Sequence, residues 1–233
     1  MTFEVVLCRY DETEDDMNKD FLYSGHTVVY NKGGPLDIKE ATVFPCENVG
    51  REVHAYLYHI VCNYDDLPDV TLFSQCKTSD HPNILSLSTY LKTHSFRAVV
   101  EHQGAGFLTC DPEDSRKSGW GHINWPKGRW ESAYTEGQLS QATTTIREFL
   151  EQHVVDELPD PDRCVTLFAG TFSVTRTCVR SRPKPFYERL LNIVSRHPQP
   201  EEIHYLERVW AYVFLPCEAL NKFRRHLELT DGV

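Results

Sequence analysis

The sequence predicts one α/β domain in which short buried strands alternate with amphipathic helices. Three observations carry that expectation. The chain has 233 residues, and at roughly 100–200 residues per domain this is one large unit rather than two small ones. Hydrophobic residues make up 40% and charged residues 25%, so a sizeable core can form. Asn48 to Gln75 reads as a capped helix feeding a short buried strand, which is half of a crossover unit of a parallel sheet.

The elements follow in order. Phe3 to Cys8 is a first strand, and His26 to Tyr30 is a second, β-branched and ended by Asn31-Lys32-Gly33-Gly34. Asn48 suits an N-cap. Val53, Tyr56, Leu57, Ile60 and Val61 then recur at three- and four-residue steps, one helical stripe. Tyr64 to Asp69 supplies turn chemistry, and Val70 to Phe73 is a third strand. Ile84 to Lys92 reads as a helix and Phe96 to Glu101 as a strand. Residues 102–134, with Trp120, Trp125 and Trp130 and no clear period, read as a long insertion-like loop, either a binding loop or a packed insertion. Thr135 and Gln138 have capping-box spacing and open a helix to about Val155. Val165 to Phe168 is a further strand, with Ala169 to Phe172 as a close-approach turn at its end. Two helices close the chain, one opened by Pro185 and one carrying Leu206, Val209, Trp210, Val213 and Phe214.

Several classes lose support. The net charge of −10 and the lack of a long Lys/Arg run argue against nucleic acid as a partner. No apolar run approaches the ~20 residues of a membrane span, and Met1-Thr2-Phe3 runs straight into a strand without a leader-like segment. The eight cysteines form no C-x-x-C, and no N-x-S/T sequon occurs. A cytoplasmic setting is the expectation. There is no G-x-S-x-G, P-loop, G-x-G-x-x-G or H-E-x-x-H, so serine hydrolases, P-loop NTPases, Rossmann dehydrogenases and zincins lose their main support.

In open α/β sheets, ligands sit outside the carboxyl ends of the strands. That selects Arg9 to Glu12, Asn31 to Gly34, Ser74 to His81 and Ala169 to Arg176. Arg9, Lys32 and Arg51 have the charge to neutralise phosphates, and the helix after Asn48 offers free N–H groups. By residue type alone, Arg51 reads first as an ordinary surface or capping residue. Gln75 can bond sugar hydroxyls through its amide. Asp80 and His81 can hold a metal or move a proton, or simply cap and flank a helix. Glu207 falls on the polar face of the last helix, as a general base or as a solvated neighbour of Arg208.

The segment Glu47 to Gln75, E-N-V-G-R-E-V-H-A-Y-L-Y-H-I-V-C-N-Y-D-D-L-P-D-V-T-L-F-S-Q, closely resembles the signature of an uncharacterised family, domain of unknown function 3431. So do R-Y-D-E (Arg9 to Glu12), V-V-Y-N-K-G (Val28 to Gly33), A-G-T-F-S-V-T-R (Ala169 to Arg176), P-F-Y-E-R-L-L (Pro185 to Leu191) and L-E-R-V-W (Leu206 to Trp210). That family is itself similar to glycosyltransferases of the GT-A fold. The resemblance implies a GT-A-like open, mixed, mostly parallel sheet flanked by helices, spanning residues 1–233 as a single domain.

The same resemblance implies transfer of a sugar from a nucleotide-sugar donor to an acceptor that the sequence does not identify. Arg9, Asp11, Asn31, Lys32, Asn48, Arg51 and Gln75 would hold the donor. Thr171 and Arg176 would face the acceptor, and Glu207, Asp80 and His81 would carry the chemistry. Such enzymes use manganese or magnesium at an Asp-x-Asp motif. Here Gln75 and Lys77 stand where its carboxylates are expected, leaving Asp80 and His81 as candidate ligands. The alternatives are a non-catalytic carbohydrate- or nucleotide-binding protein on this fold, or a metal-assisted hydrolase of a phosphorylated or sugar substrate. Oligomeric state has no sequence signal.

Overall fold

The computed structural model describes residues 1–22, 24, 26–78, 105–108, 121–123, 144–155 and 170–215. Its centre is a six-stranded sheet: β1 (Phe3–Arg9), β2 (Thr27–Asn31), β3 (Thr42–Pro45), β4 (Val70–Gln75), β5 (Ala105–Leu108) and β6 (Thr171–Thr175). The spatial order is β3-β2-β1-β4-β6-β5. The first four neighbours in that order run parallel. β6 lies antiparallel to β4 and β5 antiparallel to β6. The sheet is thus mixed and mostly parallel. From β1 the chain steps to β2 on one side and β4 falls on the other, so the strand order reverses between β1 and β4.

Alternation along β1 divides two apolar layers, as a period of two requires. Val5 and Leu7 face Met17, Phe21 and Leu22, on and just before the short helix α1 (Lys19–Leu22), with Val29, Ile38 and Leu72. Val6 and Cys8 face the larger layer. There α2 (Arg51–Asn63), α3 (Ile146–His153), α5 (Lys184–Val194) and α6 (Glu202–Phe214) cover the sheet, and α4 (Arg176–Arg180) follows β6 directly. Phe172 forms the hub of this layer, with ring centres 5.3 Å from Phe73, 5.1 Å from Trp210 and 5.5 Å from Phe214.

The α2 stripe is as expected: Val53, Tyr56, Leu57 and Ile60 are fully buried. Its start is not. Asn48 makes no cap; Gly50 takes that position in the left-handed region (φ 58°), and Arg51 follows with φ 45°. The reason is tertiary. The Gly50 and Arg51 amides donate to the carbonyls of His197 and Pro198 between α5 and α6, so distant backbone satisfies the groups that a side-chain cap would serve.

Other boundaries move for similarly physical reasons. Gly170 does come close to Gln75, but Thr171 and Phe172 are strand rather than turn, because Thr171 already begins β6. α3 opens at Ile146 with a reciprocal Thr145–Glu148 capping box. β3 was not foreseen; it is a four-residue edge strand ending in Pro45, where a proline is tolerated. Residues 105–108 of the expected long loop form β5. The expected helix at 84–92, the strands at 96–101 and 165–168, and Thr135 with Gln138 lie outside the described residues. No helix of the described residues is long and apolar enough to cross a membrane.

Candidate functional site

A cleft of about 570 Å³ opens at the carboxyl ends of β1 and β4, where the strand order reverses. That is the position at which open α/β sheets bind ligands. β1 supplies Cys8 and leads into Tyr10 and Glu12, Lys32 follows β2, the start of α2 supplies Arg51 and Glu52, and β4 supplies Gln75 with Lys77 beyond it. Asn48 also lines the cleft, so its exposed amide faces the cavity without capping the helix.

Gln75 and Glu52 form its inner wall. The Gln75 Nε2 donates to Glu52 Oε1 at 2.9 Å, and Arg51 Nε lies 3.6 Å from Glu52 Oε2. Gly170 fixes the far side of this amide, since a Cβ there would come within 3.3 Å of Gln75 Nε2. Gly170 is itself held by the Tyr56 hydroxyl, which donates to its carbonyl at 2.9 Å. Burial raises the Glu52 carboxyl above the usual range; Arg51 opposes that shift and the Glu207 charge adds to it. Glu52 in turn holds the Arg51 guanidinium more firmly protonated.

Glu207 is not on a solvated face. α6 is buried nearly all round, and the Glu207 side chain is only 12% exposed, 3.5 Å from His204 Nδ1. Burial alone would raise its carboxyl, but the His204 hydrogen bond and the charges of His204, Arg51 and Arg208 outweigh that and hold it below the ordinary value. Two neighbouring carboxyls are therefore pushed in opposite directions by their surroundings. That arrangement separates a proton donor from a proton acceptor. Glu52 lines the cleft; Glu207 stands behind it, within electrostatic reach of Arg51 and Glu52.

The remaining expected residues divide. Arg9 is spent on the fold: its Nε donates to the Glu12 carbonyl at 2.7 Å, and its Nη1 donates to Asn31 Oδ1 at 2.7 Å and to the Gly34 carbonyl at 2.9 Å. Asn31 also accepts from the Gly33 amide. The two residues brace the loops after β1 and β2 rather than presenting donors to the cleft. Lys32 lines the cleft, but its ammonium donates to the carbonyls of Glu47 and Val49 and lies 3.3 Å from His54 Nδ1. Asp11 is exposed and does not line the cleft, while Glu12 folds back to accept from the Tyr10 and Asp11 amides.

Thr171 is 1% exposed and its hydroxyl meets Ser74 Oγ at 2.9 Å, which ties β6 to β4. Arg176 is at the wrong end. It pairs with Asp69 and its amide donates to the Asp69 carbonyl, just before β4 begins. The length of β4, roughly 17 Å at about 3.3 Å per residue, separates it from Gln75. It was assigned to the site because Ala169 to Phe172 was read as the loop after a strand. Asp80 and His81 lie outside the described residues. An amide at Gln75 and an ammonium at Lys77 do not fit a divalent cation. Among the described residues no three His, Cys, Asp or Glu side chains group to hold one.

Sequence reasoning missed Glu52 and Tyr10. Glu52 had a signal: it lies four residues before Tyr56 on the apolar stripe, where a carboxylate is out of place. Tyr10 is 58% exposed at the mouth of the cleft, a large aromatic face with solvent on it.

The fold and the cleft define a class: an α/β protein with a polar pocket at the switch point of a mixed sheet. No curated protein and no solved structure is significantly similar to the chain. The family model described as "Protein of unknown function (DUF3431)" matches residues 6–222, and the chain belongs to that family.

Proposed function

We propose that this chain is a GT-A-like glycosyltransferase that takes a sugar from a nucleotide-sugar donor. The observation that carries the reading is the cleft itself. It joins an exposed aromatic (Tyr10), cations (Arg51, Lys77) and a fixed amide (Gln75) at the strand ends where this architecture binds nucleotides.

The chemistry divides along the cleft. Tyr10 offers a stacking face for the base. Arg51 and Lys77 offset the diphosphate, and an arginine does so with a directed fork. Gln75, oriented by Glu52 and Gly170, leaves its carbonyl oxygen for a sugar hydroxyl. Stabilising the departing diphosphate supplies most of the catalysis. Glu52, which lines the cleft, is the carboxyl placed to take the acceptor's proton, and the ionised Glu207 behind it adds to the rise of its pKa. Manganese or magnesium would sit at an acidic motif that Gln75 and Lys77 replace, so no step is routed through a metal here.

Calorimetric titration with a panel of nucleotide sugars, with and without manganese, tests this. Saturable binding that weakens about ten-fold in Arg51→Gln, a loss of about 1.4 kcal/mol, is expected. No binding to any member of the panel would end the proposal.

A second reading has its own support. Gln75 and Glu52 satisfy each other, as they would in a binding protein that needs no acid or base. In that case donor hydrolysis is absent from the intact chain. Donor hydrolysis that drops in Glu52→Gln excludes it. The hydrolase reading rests on Asp80 and His81, outside the described residues.

A further inference from the structure

A second cleft, of about 450 Å³, lies between the end of α3 and the first turns of α5 and shares no lining residue with the first. Arg182 and Arg189 line it. Their guanidinium carbons lie 5.1 and 5.7 Å from the centre of one ring, that of Phe186. The two charges are therefore within about one Debye length of each other, about 10 Å at ordinary ionic strength.

Neither arginine has a carboxylate partner among the described residues. Each has one long contact to a carbonyl, Arg182 to Tyr212 and Arg189 to Pro185, both at 3.4 Å. Three other described arginines are paired with acids, Arg51 with Glu52, Arg147 with Glu151 and Arg176 with Asp69, whereas these two cations line one cleft with none. Glu151 also lines this cleft, but its carboxylate is taken by Arg147 at 3.2 Å. Burial lowers the pKa of His153 beside it, with Glu202 opposing that shift and Arg196 adding to it, which favours the neutral imidazole.

The floor is apolar. Val154, Val155 and Phe186 are buried beneath the opening and Ile193 completes it. Two forked cations over an apolar floor recognise a molecule with an oxyanion head and an apolar body. We infer that this cleft binds an amphipathic phosphate or carboxylate through Arg182 and Arg189, independently of the glycosyltransferase reading.

Three probes test it by calorimetry: phenyl phosphate, inorganic phosphate and phenol. The titrations use the Arg51→Gln chain, in which phosphate binding in the first cleft is expected to be about ten-fold weaker. Phenyl phosphate is expected to bind at one site, more tightly than inorganic phosphate, and phenol not at all. Arg189→Gln or Arg182→Gln is expected to weaken phenyl phosphate about ten-fold or more, as loss of a charged hydrogen bond does. Arg189 is exposed, so its variant folds even if the Arg182 variant does not. The inference is overturned by absent saturable binding, by unchanged affinity in the double variant, or by phenol binding as well as phenyl phosphate.

Discussion

Gln75 and Glu52 are joined by one hydrogen bond, Nε2 to Oε1 at 2.9 Å, which links the end of β4 to the first turn of α2 across the cleft. The bond orients the Gln75 amide with its nitrogen on the carboxyl, in a side chain that lines the cavity. Because Glu52 is buried, this contact also reports on protonation.

Burial raises the Glu52 pKa from 4.5. Above pH 4.5 the unfolded chain releases this proton while the folded chain keeps it. The folded state then binds more protons, so this group's contribution to stability falls as pH rises through that window, and it levels off above the raised folded value. Glu52→Gln removes the titration and keeps the size. Urea midpoints measured across that range are expected to fall less steeply with pH in the variant than in the parent chain.

His54 acts with the opposite sign. Burial, with Lys32 nearby, lowers its pKa from 6.5 to about 4. Between these values the unfolded chain is protonated and the folded chain is not. Stability from this group is present above pH 6.5 and lost as pH falls towards 4. His54→Gln is expected to flatten that acid limb. Comparing each variant with the parent separates His54 from Glu52, whose windows overlap.

Gly50 meets a backbone atom rather than a flexible side chain. Its φ is +58°, and a Cβ there would lie 2.5 Å from the Val194 carbonyl oxygen. Gly50→Ala combines an unfavourable left-handed conformation with a forced shift of α5, and an expected loss of about 2–3 kcal/mol follows. Urea denaturation measures it. The same shift loosens the contacts of Gly50 and Arg51 with His197 and Pro198, so ligand affinity in the first cleft is expected to fall with stability.

These positions show what was legible in the sequence. β1, β2 and β4 announced themselves through β-branched runs, and α2 through a stripe that burial matches at Val53, Tyr56, Leu57 and Ile60. The cap failed because its hydrogen bonds go to carbonyls well over a hundred residues away, which no local pattern encodes. β3 is short and mostly exposed, so it lacks the alternation that reveals a half-buried strand. Lys32 and Gln75 were placed at the cleft because the carboxyl-end rule needs only strand positions, and Asn48 and Arg51 because they open the helix that precedes β4. Arg9 and Asn31 reached the right region with a bracing role, since a residue's type does not say which acceptors its donors will find. Glu207 was set on a polar face because a helix read alone shows one; the surroundings of α6 bury it.

Arg51 and Arg176 give the sharpest contrast between the two ends of the sheet. Both are arginines paired with a carboxylate, Arg51 with Glu52 and Arg176 with Asp69. Arg51 lines the cleft, whereas Arg176 lies beyond the opposite end of β4. Its pair is partly solvent-exposed, and exposed pairs contribute little to stability. Arg176→Gln is therefore expected to cost little stability and to leave nucleotide-sugar affinity unchanged, while Arg51→Gln weakens that affinity about ten-fold. Parallel titrations decide it. Equal losses in both variants would mean that donor binding follows the global stability of the sheet rather than the chemistry of the cleft.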